Sequence, residues 1–74
     1  MVAPSTVINF GNVAISRDMV FGAIVFTDPG EWIPFSSIDD EGQDFIRSSI
    51  RNSPMRMMMD TSPMESVRKE IFGE

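Results

Sequence analysis

The chain has no histidine, no cysteine and no tyrosine, and Lys69 is its only lysine. Those absences remove most of the side chains used as general base, activated nucleophile or transition-metal ligand. None of the serines has a histidine to activate it, and a carboxylate pair would have to be held across a concave pocket to do acid and base work. No catalytic activity and no cofactor or metal are therefore expected. Asp39, Asp40, Glu41 and Asp44 cluster, but they lack the alternating oxygen ligands, central glycine and distal glutamate of a calcium loop. Phosphate-binding and dinucleotide-binding glycine motifs are also missing, because Gly11 and Gly22 stand alone.

Long hydrophobic runs and positive charge are scarce as well. The longest apolar run, Met19 to Phe26, has eight residues, against the roughly 18 that a membrane span requires. The stretch Met1-Val2-Ala3-Pro4 has no basic region of the kind that opens a secretion signal. A cytoplasmic protein without a membrane association is expected. Six basic residues against eleven acidic ones give a net charge of -5, which opposes nucleic-acid binding through phosphate neutralisation.

A chain of 74 residues removes only about 62% of its unfolded surface from water. Domains of this size usually add a disulfide, a metal or a partner subunit. Composition disfavours the first two, so a homo-oligomer, a dimer or higher, is expected.

What the chain does have in excess is methionine: Met55, Met57, Met58, Met59 and Met64 fall within ten positions. Methionine is flexible and polarizable and suits adaptable binding surfaces. Consecutive residues cannot all face one interior in either a strand or a helix. One or two of Met57, Met58 and Met59 should thus reach the surface, whereas Met64 and Met19 read as core. Met55, Arg56, Met57, Met58 and Met59 are the candidate partner-binding residues, with Trp32 as a further anchor because tryptophan is enriched at binding hot spots. Charge is segregated too: seven acids and no base occur from Asp18 to Asp44, after which Arg47, Arg51 and Arg56 precede Asp60. That asymmetry suits head-to-tail self-association or a basic partner.

Patterning predicts an α+β fold in one domain, with a β-rich half over residues 5–36 and a helical half over 38–73, joined through a Met-rich connector at 53–61. Gly11-Asn12 reads as a type II′ turn that sets Phe10 opposite Val13 and Ile8 opposite Ile15. Met19 to Phe26 reads as a third strand, apolar on both faces, closed by the turn Asp28-Pro29-Gly30-Glu31. Its second face is covered either by another copy or by the Met-rich segment. Trp32 to Phe35 is a short extended piece that Pro34 confines to a sheet edge or an irregular crossing. The sheet is thus a mainly antiparallel meander of three or four strands with two short helices packed on one face.

A helix near 38–51 is expected to begin at a Ser36 or Ser37 cap, carry acids in its first turn, and bury Ile38, Gly42, Phe45, Ile46 and Ile50. Asp40, Asp44, Arg47 and Arg51 share its opposite face and are the candidate polar contacts. Ser62-Pro63-Met64-Glu65 reads as a capping box opening a second helix at 63–72, with a Glu65–Lys69 pair and Gly73 closing it. For Met55–Met59 an edge strand is favoured over a helical turn.

The function expected is a small acidic protein-protein interaction module, a regulator or inhibitor that occludes a surface of a larger protein, such as phages and mobile elements encode. The alternative is a structural subunit of a symmetric assembly, such as a virion or shell component.

Overall fold

A computed structural model of the chain describes residues 7–27 and 30–73. Four antiparallel strands, β1 (Val7–Phe10), β2 (Val13–Asp18), β3 (Gly22–Thr27) and β4 (Glu31–Pro34), form a meander in sequence order. Helix α1 (Asp40–Arg51) follows, then a 3-10 segment at Arg56–Asp60, a 3-10 turn at Ser62–Met64 and helix α2 (Glu65–Phe72). The protein is an α+β domain of the expected architecture. Expectations for residues 1–6 and for Asp28 and Pro29 lie outside the described residues.

The first hairpin forms as its turn chemistry dictates. Phe10 pairs with Val13 and Ile8 with Ile15, Gly11 has φ +68°, and no non-glycine residue described has a positive φ. That sign pattern is the type II′ one. Strand β4 is an edge strand ending on Pro34, where proline leaves no ladder hydrogen bond unmade.

One face of the sheet contributes Ile8, Phe10, Val13, Ile15, Ala23 and Val25 to the core, and both helices cover it through Ile46, Ile50, Val67 and Ile71. Phe35, Met59 and Met64 fill the remaining space in the same cluster. The Met-rich segment therefore lies on the helical side, and the expectation that it covers the second face of the third strand is not met.

The third strand is also shorter than expected. Asp18 pairs with Gly22, leaving Met19-Val20-Phe21 as a three-residue loop, and Gly22 sits at φ +77°, the arrangement of a turn closed by a glycine bulge. Met19 is 100% exposed, which overturns its assignment to the core. The turn geometry outweighs the β-propensity of the run because register on both sides is already set by buried pairs.

Helix α1 begins two residues later than expected, and its cap is Asp39, which accepts a hydrogen bond from the Gly42 amide at 2.8 Å. Ser36 and Ser37 instead belong to a 3-10 turn at Phe35–Ser37. Phe45 is 58% exposed rather than inward, because the buried stripe is centred on Ile46 and Ile50 and leaves Phe45 on its margin. The capping box is absent: α2 starts after Met64 with no side-chain cap, and the 3-10 turn before it has none either. The Thr61 hydroxyl donates to the Met58 carbonyl at 2.8 Å, and Met64, in the 3-10 turn before α2, is buried in the core. The Glu65–Lys69 pair, at 3.5 Å, and the left-handed Gly73 closing α2 are as expected.

Candidate interaction site

Two surfaces combine exposed apolar side chains with a defined local structure. The first is the β2–β3 turn. The Asp18 carboxylate is buried and its Oδ1 accepts hydrogen bonds from the Val20 amide at 2.7 Å and the Phe21 amide at 3.0 Å. Below the turn, Glu70 of α2 accepts from the Ala23 amide at 3.1 Å. Two carboxylates thus tie the base of the turn to the body of the protein. Held above them, Met19, Val20 and Phe21 are 100%, 80% and 58% exposed. Burying a large apolar side chain is worth about 1.5–3 kcal/mol, so leaving three in water forgoes several kcal/mol of folding stability.

Phe21 continues into a shallow cleft on the sheet face that the helices do not cover, bordered by Ile24, Trp32 and Pro34. Trp32 stacks edge-on against Phe26 with ring centroids 5.5 Å apart. Trp32, the further anchor candidate, belongs to this surface, across the sheet from the Met-rich segment.

The second surface is a groove of about 590 Å³ between the end of α1, the 3-10 segment and α2. Ile50, Met59 and Phe72 form its floor, and Arg51, Arg56 and Arg68 edge it. Arg68 pairs with Asp60 at 3.1 Å, and the Arg51 guanidinium lies 5.1 Å from the Phe72 ring centre. Arg56 has no carboxylate partner among the described residues. Three arginines against one carboxylate make this the one strongly cationic feature described, in a chain of net charge -5.

The methionine run divides within this structure. It is a 3-10 segment, not an edge strand, because Ser53 anchors its start by accepting the Met55 amide at 3.1 Å. Met59 is 3% exposed and Met57 69%. Met58 packs partly against the core, and Met55 is half exposed.

Of the candidate polar residues on α1, Arg51 edges the groove, and Asp40 is exposed at the helix start. Asp44 and Arg47 pair at 3.0 Å. Arg47 is used internally: its Nε donates to the Ile71 carbonyl at 2.7 Å and its guanidinium lies over the Phe35 ring. It fastens α1 to the end of α2.

Sequence reasoning missed the turn Met19–Phe21 and the groove residues Arg68 and Phe72. Asp18 and Gly22, four residues apart, were the available signal for the turn. No local signal marked Arg68 and Phe72, since tertiary packing alone brings them to Arg51. No helix among the described residues is long and apolar enough to cross a membrane, and no group of three or more metal-ligating side chains occurs among them. No protein-family model, curated protein or solved structure matches the chain, so function is read from geometry alone.

Proposed function

We propose that the protein is a non-enzymatic protein-protein interaction module that docks through the β2–β3 turn and so occludes a surface of a larger protein, as a regulator or inhibitor does. The observation that carries this reading is the fixed exposure of Met19, Val20 and Phe21 on a turn held by Asp18 and Glu70. A turn ordered in advance loses little conformational entropy on binding, and its apolar tip recovers on docking the transfer free energy forgone in the free protein. The neighbouring cleft at Trp32 extends the contact with an aromatic of the type enriched at hot spots. A soluble apolar-pocketed protein is the partner this shape fits.

The test compares tagged wild-type protein with the variant Met19→Ser/Val20→Ser/Phe21→Ser, both expressed in the native host. A partner retained in stoichiometric amount by the wild type and lost by a variant with an unchanged circular dichroism spectrum supports the reading. Equal retention by both contradicts it. Retention of the chain's own second copy alone would favour a structural subunit of a symmetric assembly.

A further inference from the structure

The groove faces one side of α1, and Phe45 projects from another. Arg51 lies six residues after Phe45, about 120° around the helix at 100° per residue, whereas Glu41 lies about 40° from Phe45 on the same side. Phe45 is 58% exposed, and Glu41 one turn before it is exposed. Glu41 has no basic partner among the described residues. One side of α1 thus presents an aromatic ring with an unpaired carboxylate beside it, and another borders a groove edged by three arginines, with Met57 and Phe72 among its lining.

The two surfaces match in kind and oppose in charge, and their separation around the helix keeps them from meeting within one protomer. We propose that the Phe45 face of one copy docks in the Arg51–Arg56–Arg68 groove of a second copy, with the exchange made reciprocally in a two-fold dimer. The groove, about 590 Å³ and open to solvent, has room for the Phe45 ring. The ring meets Met57 and Phe72, while Glu41 reaches Arg56, which like Arg51 has no carboxylate partner among the described residues. Like-charge juxtaposition across such a contact costs several kcal/mol, and opposite charges set the register. Two identical contacts related by a two-fold axis close the assembly at two copies. This inference goes beyond the proposed function and uses neither the turn nor the outer sheet face.

The charge-swap experiment reads the dimer directly. Sedimentation equilibrium of the wild type over about 0.01–1 mM protein is expected to show twice the 8.3 kDa protomer mass, weakening as salt rises from about 0.05 to 0.5 M. Arg56→Glu alone and Glu41→Arg alone each place like charges in both contacts and are expected to reduce association by more than about ten-fold. Mixing the two variants in equal amounts restores opposite charges at both contacts and is expected to restore the dimer mass. Both positions are exposed, and an unchanged circular dichroism spectrum certifies the fold of each variant. A wild type that stays at the protomer mass throughout, single variants that associate normally, or a mixture that fails to regain mass would each overturn the proposal. None of those outcomes bears on partner capture by the turn, so the two readings fail separately.

Discussion

Two methionine-bearing runs meet different fates in this protein. Met19-Val20-Phe21 stands almost wholly in water, while Met55 to Met59 is divided, with Met59 buried in the core and Met57 outside it. Hydrophobicity does not separate them; backbone chemistry does. Asp18 and Gly22 bracket the first run with a carboxylate that binds two turn amides and a residue able to take a positive φ, so those side chains are carried away from the core. Ser53 and the carbonyls of the 3-10 segment coil the second run against the helices. The first run thus stays exposed, and the second is divided between the core at Met59 and the groove at Met57.

That contrast is most exposed to Met59→Ala. Truncation of a buried methionine is expected to cost about 2–5 kcal/mol, lowering the thermal midpoint by roughly 10 °C or more in a domain of this size. Serine at Met57 should cost less than about 0.5 kcal/mol. Equal losses at the two positions, measured by calorimetry, would break the division of the run.

The next effect belongs to the turn. Gly22→Ala puts a side chain at φ +77° and directly against the Glu70 carboxylate, with an expected loss of about 1–3 kcal/mol. Asp18→Ala removes the acceptor of two amides and is expected to cost about 1–2 kcal/mol, and urea unfolding would measure both. Stability unchanged in both would mean that the turn is not held as described and that its apolar residues are loosely presented.

The smallest effect is expected at Ser62. A capping box there would make Ser62→Ala cost about 1 kcal/mol; with no side-chain cap at either helical start, the loss should stay within about 0.5 kcal/mol. A larger loss would restore the cap.

Much of the fold was legible in the sequence where local and global signals agreed. Gly11-Asn12 between alternating strands fixed the first hairpin, Pro34 marked an edge, acids marked the start of α1 and Gly73 the end of α2. Misreadings arose where one signal was strong and its competitor quiet. The β-propensity of Met19–Phe21 hid the Asp18–Gly22 turn, and the Ser62–Glu65 spacing hid a 3-10 turn that buries Met64. Of the site residues, Arg51, Arg56, Met57 and Met59 stood out in the sequence and converge on the groove. Trp32 stood out too, but the sheet carries it to the other surface. Arg68 and Phe72 were invisible because only the packing of α2 on α1 delivers them.

The proposed recognition role of the turn is tested most directly by a photo-crosslinking amino acid placed at Val20, with Ser66 on the exposed side of α2 as the control position. On irradiation in the native host, the account predicts one discrete adduct with a larger protein from Val20 and none from Ser66. No adduct at Val20, or the same adducts from both positions, would contradict it.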